Sequence, residues 1–237
     1  NVTAVADIAL LSSESVNIAT ASHTNTSLSD IGANRILLEG KYLYNIIDTQ
    51  EDFKKYKLLI LPDNIRLNKS LQAKLADYMR SGGKILASGE SCLWENRDEF
   101  ALDLGILFEG KSDYTPDYLD TTDLLPTNNG IMVMYSQSYR FALVGAEKLA
   151  DRQNPYFNRN ASHFCSHQHT PNNRQKSGPG AAITKNAGYI GWKVFEEYAS
   201  MGSLHLKELA IVMIDKLLGE NKTLSVNLPD RGIVTMM

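Results

Sequence analysis

Tyr56-Lys-Leu-Leu-Ile-Leu-Pro-Asp63 carries an unbroken apolar run that ends in Pro62-Asp63. Such a run reads as a buried parallel strand that opens into a loop at its carboxyl end. The residues after it extend the pattern. Leu71-Gln-Ala-Lys-Leu-Ala-Asp-Tyr-Met-Arg80 spaces Leu71, Leu75, Tyr78 and Met79 on one helical face, Ser81-Gly82-Gly83 stops the helix, and Lys84-Ile-Leu-Ala-Ser88 is a second apolar strand. Strand, helix and strand in so short a span make a βαβ unit. In open sheets of this kind, ligands and catalytic groups gather at the carboxyl ends of the strands.

Working outward, Val5-Ala-Asp-Ile-Ala-Leu-Leu-Ser12 predicts a first strand and Ser13-Glu14-Ser15 a loop after it. Ser27 or Ser29 caps a helix on which Ile31, Arg35, Leu38 and Tyr42 share helical spacing, with Gly40 near its end. Tyr44-Asn-Ile-Ile-Asp48 is a short strand, and residues 48–53 form a loop and a helical turn. Beyond Ser88, residues 94–102 are expected to be helical and 104–108 form a short apolar piece. Residues 109–130 form an irregular excursion, followed by a strand at 131–135. Composition makes Thr170–Gly180 an exposed loop. Ala181–Thr184 and Gly188–Trp192 pair as a hairpin, Leu204–Leu218 is an amphipathic helix ended by Gly219, and Thr223–Leu228 is a last strand. No repeat or linker divides the chain, so residues 1–237 are read as one α/β domain, with 220–237 opening a C-terminal β segment.

The 237 residues suffice for a large core, and a net charge of −3 leaves no basic footprint for nucleic acid. No stretch is long and apolar enough for a membrane span. Nothing in the sequence calls for a cofactor. Asn1 at the start and the apolar Gly232–Met237 at the end suggest a piece excised from a longer chain. Cys92 and Cys165 make no disulfide framework; a single bridge stays open, and free thiols are expected. Five Asn-x-Ser/Thr sequons, at Asn1, Asn25, Asn68, Asn160 and Asn221, are attributed to chance in a chain rich in these residues.

Three segments carry chemistry-bearing residues. Gly89-Glu90-Ser91-Cys92-Leu93 lies where a nucleophile elbow would follow the strand at Lys84. An elbow wants a small residue two places after the nucleophile. Ser91 has Leu93 there and Cys92 is out of register, so the catalytic candidates Ser91 and Cys92, with His167 as base, compete with a capping and packing role. His163-Phe-Cys165-Ser-His167-Gln-His169 alternates four potential metal ligands. One short segment cannot wrap a tetrahedron around an ion, and His23 and His205 stand alone, so the alternative is a polar cleft. Finally, Lys111–Asp120 sets Tyr114 and Tyr118 among carboxylates, a mixture that can suit a sugar ring but is read first as a solvated acidic loop with its tyrosines packed onto the domain. No pair of acids is spaced to suggest glycoside hydrolysis.

The succession Gly32–Gly40, Tyr44–Asp48, Tyr56–Asp63 and Tyr78–Ala87 resembles the trimerisation domain of bacterial beta-galactosidases, a class I glutamine amidotransferase-like domain that follows a TIM barrel. The resemblance covers residues 5–95; further on, His163–Pro171 and the closing helix and strand are similar to a group of glycoside hydrolases of the same layout, some of them fucosidase-like. It implies a flavodoxin-like three-layer sandwich with a mainly parallel sheet, long loop excursions and a few extra C-terminal strands. It also implies a non-catalytic accessory role: oligomer contacts, or walling the active site of a TIM barrel in the same chain. The triad of amidotransferases is not retained around Cys92. Glu90, Trp94, Tyr114, His163, His167 and His169 are then expected to line a binding cleft, with carbohydrate as a candidate ligand. A self-standing Cys/Ser hydrolase and a sugar-binding module are the alternatives. The sequence names no compartment, although enzymes acting on glycans are often exported.

Overall fold

A computed structural model describes residues 4–17, 27–125, 130–229 and 231–237. The first part of the chain forms β1 (Ile8–Leu11), α1 (Ser13–Val16), α2 (Leu28–Glu39), β2 (Tyr44–Ile47), β3 (Leu58–Leu61), α3 (Lys69–Arg80) and β4 (Lys84–Ser88). The second part forms β5 (Leu93–Trp94), β6 (Arg97–Phe100), β7 (Ile106–Lys111), β8 (Asp117–Asp120), β9 (Ile131–Met134), β10 (Tyr139–Leu143), β11 (Glu147–Pro155), β12 (Asn172–Ile183), β13 (Ala187–Ile190), α4 (Val194–Met201) and α5 (Leu204–Leu218). The sequons at Asn1 and Asn25, and His23, lie outside the described residues.

Among the described residues, nine strands join one sheet in the order β2-β1-β3-β4-β13-β12-β11-β8-β9. From β2 to β13 every pairing is parallel. From β13 to β9 every pairing is antiparallel. The sheet is therefore mixed rather than mainly parallel, and its additional strands come from residues 117–183, not from the C-terminal end.

Period-two alternation in the parallel strands feeds two cores. Ile8, Leu10, Leu58 and Ile60 face Ala33 and Ile36 of α2, Phe195 of α4 and Leu209 and Met213 of α5. Ala9, Leu11, Leu59 and Leu61 face Leu71, Leu75 and Tyr78 of α3 and Phe53. Strands buried on both faces must be continuously apolar, which is why β3 was legible in the sequence.

Ser27 caps α2, accepting the Asp30 N–H at 3.3 Å. The face that α2 buries is not the one its large residues predict. Ser29, Gly32, Ala33, Ile36 and Leu37 turn inward. The stripe is small because α4 crosses it closely: a Cβ at Gly32 would lie 1.8 Å from the Phe195 carbonyl oxygen.

Four other expectations change. Ser13–Val16 is a helical turn rather than a loop. Residues 94–102 hold the β5–β6 hairpin instead of a helix, turned at Glu95-Asn96, with the Arg97 guanidinium 4.9 Å from the Trp94 ring. Thr170–Gly180 is mostly β12, whose polar residues lie on its exposed outer half while its backbone pairs with β11 through repeated register shifts. Residues 223–228 form no strand; instead Thr223 N–H and Oγ1 bind the Asp7 carboxylate at 2.7 and 2.6 Å.

Candidate functional site

The strand ends are organised by Asp63, the last residue of the opening stretch. It is fully buried, with φ 44°, and its carboxylate accepts the Ser88 hydroxyl at 2.6 Å and the Glu196 N–H at 2.7 Å. Asp63 thereby caps α4 from a distant strand, since Lys193 at the helix start supplies no side-chain cap. Burial pushes its carboxyl up to about 7, an effect that hydrogen bonds from Ser88, Glu196 and Phe195 offset only in part.

Past β4, Gly89 and Cys92 both adopt left-handed backbone, at φ 56° and 70°. The turn directs Ser91 and Cys92 inward. Ser91 Oγ accepts the Ile65 N–H at 3.1 Å, and both side chains have no exposed surface. Cys92 packs in the apolar core beside Leu102, and burial pushes its thiol up to about 12. Among the described residues, no imidazole is hydrogen-bonded to either side chain, so Ser91 and Cys92 do not come together with His167.

Glu90, by contrast, is partly exposed and sits in a charged cluster. One carboxylate oxygen accepts the Tyr139 hydroxyl at 2.6 Å and lies 3.6 Å from Lys193 Nζ; the other accepts Arg66 Nε at 2.8 Å. Burial raises its pKa, but the Tyr139 and Arg66 hydrogen bonds and the Lys193 charge outweigh this and hold it at about 2. Arg66 also donates to the Trp94 carbonyl at 3.0 Å and to Asp98 at 2.8 Å. Glu90 and Trp94 are thus brought to one place, on the carboxyl side of β3, β4 and β13. Arg66, Tyr139 and Lys193 were missed in the sequence. Arg66 and Lys193 could have been found as cations just beyond apolar strands; Tyr139 gave no such signal.

Of the remaining predicted residues, Tyr114 lies on the loop between β7 and β8, and the histidines and Cys165 lie on the excursion between β11 and β12. Asn158 pins it to the Tyr114 loop, donating to the Asp113 carbonyl at 2.6 Å and accepting the Thr115 N–H at 3.2 Å. His163 sits beside the Phe157 ring at 5.9 Å, and His169 Nε2 is 2.8 Å from the Tyr135 hydroxyl. Cys165 Sγ donates to the His169 carbonyl at 3.4 Å. Among the described residues, no three His, Cys, Asp or Glu side chains are arranged to hold a metal ion, so the alternating segment does not gather into a ligand set. Phe164 and Tyr156 are 73% and 65% exposed, which makes this loop an aromatic as well as an imidazole surface.

Lys193 links the two regions. Its backbone N–H donates to Ser136 Oγ at 3.2 Å, next to the tyrosine that holds His169. A separate cavity of about 250 Å³, lined by Ser15, Thr49, Gln50, Asn68 and Lys74, lies at the ends of β1 and β2 and includes none of the predicted site residues. No helix among the described residues is long and apolar enough to cross a membrane.

No known family's sequence profile matches the chain, and no curated protein matches it. Solved structures do. An alpha-L-fucosidase isoenzyme 2 from Paenibacillus thiaminolyticus is 39% identical, with a TM-score of 0.92, over 98% of this chain and 36% of its own. A beta-galactosidase from Bacillus circulans sp. alkalophilus is 15% identical, with a TM-score of 0.60, over 91% of this chain and 31% of its own. An exo-beta-1,4-mannosidase from Opitutaceae bacterium strain TAV5 is 12% identical, with a TM-score of 0.58, over 94% of this chain and 37% of its own. The last two share the fold alone. This chain spans about a third of the length of these glycoside hydrolases, and over nearly all of its own length it is similar in sequence and fold to a segment of a solved alpha-L-fucosidase.

Proposed function

We propose that this chain is a non-catalytic accessory domain of a carbohydrate-active enzyme, supporting oligomer contacts or walling the active site of a TIM barrel. The observation that carries the reading is the near-complete alignment with 36% of a fucosidase chain. The interior supports it: the Cys92 thiol and Ser91 hydroxyl are sealed in the core, away from any imidazole hydrogen bond. The parallel order β2-β1-β3-β4-β13, with helices on both faces, fits the flavodoxin-like, amidotransferase-related domain of the beta-galactosidase resemblance. Residues 220–237 would lead into a following β segment.

On this reading the partner meets the charged cluster at Glu90 and Trp94, the β7–β8 loop that carries Tyr114, and the β11–β12 excursion that carries His163, His167 and His169. The test uses the full-length enzyme. His167→Ala and His169→Ala are expected to change kcat/KM or the oligomer size seen by light scattering; unchanged values for both would sink the proposal.

The exposed Tyr156 and Phe164 beside the imidazoles favour a second reading, a sugar-binding surface that works without a barrel. Titrating this chain with mono- and oligosaccharides, followed by Trp and Tyr fluorescence, separates the two, because a wall that needs its barrel gives no saturable signal alone.

A further inference from the structure

The three imidazoles of the excursion are not held alike. His163 and His167 are exposed. His169 is half-buried, its Nε2 is 2.8 Å from the Tyr135 hydroxyl, and the two rings meet edge to face at 5.0 Å. Its backbone is anchored at two successive carbonyls, its own by Cys165 and that of Thr170 by the Tyr118 hydroxyl at 2.6 Å.

Tyr135 is fixed in turn from beneath the loop. Glu197, buried on α4, accepts the Tyr135 N–H at 3.2 Å through one oxygen and the Ser136 N–H at 2.6 Å through the other. The Ser136 hydroxyl also donates to Glu197 and accepts the Lys193 N–H, closing the loop onto the first turn of the helix. A buried carboxylate that grips two consecutive peptide N–H groups sets the direction of the side chain between them.

We infer that Glu197 is a positioning residue: by holding the Tyr135–Ser136 backbone it keeps the Tyr135 hydroxyl on His169 Nε2, so that His169 presents Nδ1 to a hydroxyl group of its partner. A phenol donates more readily than it accepts, so the Tyr135 hydroxyl on Nε2 favours the tautomer protonated at Nδ1 and leaves that N–H as the donor for the partner. The role of that nitrogen rests on the accessory-domain reading; the positioning itself does not.

Long-range proton–nitrogen spectra of the imidazoles in this chain read the tautomer directly. His169 is expected to show one dominant tautomer, while His163 and His167 show the averaged shifts of free histidine. Glu197→Ala should collapse the His169 nitrogen shifts to the averaged values. Glu197→Gln, which keeps an acceptor for the Ser136 N–H, should preserve most of the separation. Tyr135→Phe should collapse it with Glu197 intact. Should Glu197→Ala fail to fold by circular dichroism, Glu197→Asp, with the carboxylate drawn back by one methylene, takes its place under the same criteria. Averaged His169 shifts in the unmutated chain, or a single tautomer surviving removal of the Glu197 grip in a folded variant, would overturn the inference. These spectra need no partner, so they can fail while His169→Ala still impairs the full-length enzyme, and the reverse.

Discussion

At Cys92 the backbone and the side chain point in opposite directions. A φ of 70° is the strained, left-handed geometry that a nucleophile elbow uses, and for a non-glycine residue it costs on the order of 1–3 kcal/mol. Yet the thiol lies wholly in the apolar core, with its pKa pushed up to about 12 by burial. At neutral pH so small a thiolate fraction leaves it inert. Iodoacetamide should therefore label Cys165 in the native protein and reach Cys92 only after denaturant is added. Native labelling of Cys92 as fast as that of Cys165 would restore it as a nucleophile candidate. Asp63 makes the companion prediction. Its folded pKa, raised to about 7, lies above the unfolded value near 3.9, so the folded state binds the extra proton. Its contribution is present below pH 4 and lost as pH rises through 7, an effect on the order of 4 kcal/mol. Asp63→Asn should lower stability at every pH while removing that slope, which urea titrations at pH 5 and pH 8 would reveal.

Among the elements, the contact of α2 with α4 is the most exacting. Any Cβ at Gly32 must displace the Phe195 backbone, which is itself held by the Asp63 cap, so neither helix can yield cheaply. Gly32→Ala is expected to destabilise by roughly 2–3 kcal/mol despite its gain in helix propensity. A chemical-denaturation midpoint equal to that of the unmutated chain would refute the close crossing. The same contact shows what could be read in advance. The apolar runs of β1, β3 and β4 and the helices α3 and α5 announced themselves, because two-sided burial and amphipathic stripes leave a period in the sequence. The inward face of α2 did not, because close packing selects small residues that carry no hydrophobic signal. Nor did β12, whose outer half is polar: a ladder built from backbone hydrogen bonds asks little of its side chains there. In the candidate site, the position of Glu90 after β4 was legible, whereas Tyr139 and Glu197 meet their partners across about 50 and 60 residues of sequence, a distance no local pattern spans.

Across the whole molecule, one buried acid ties segments that the sheet does not. Asp7, just ahead of β1, binds Lys57 Nζ at 2.6 Å and both Thr223 N–H and Oγ1, while the same ammonium reaches the Asn221 carbonyl at 2.7 Å. The node joins the amino ends of the central strands to the chain leaving α5, where the sequence predicts a strand and the structure has side-chain bonds instead. Burial raises the Asp7 pKa, but hydrogen bonds from Lys57 and Thr223 outweigh it and leave the group below its ordinary value. A depressed carboxyl stabilises the fold above the unfolded pKa near 3.9 and stops doing so as pH falls through the folded value. Asp7→Asn should thus cost about 1–3 kcal/mol at pH 7, where a buried ionic acceptor is lost, and progressively less as pH falls through the folded pKa and Asp7 itself takes up a proton. Amide exchange gives the spatial half of the test: in Asp7→Asn, protection should fall first at the Thr223 N–H, with β3 and β4 unchanged. A uniform loss across the sheet would instead place Asp7 in the core's own stability rather than in the fastening of residues 221–223.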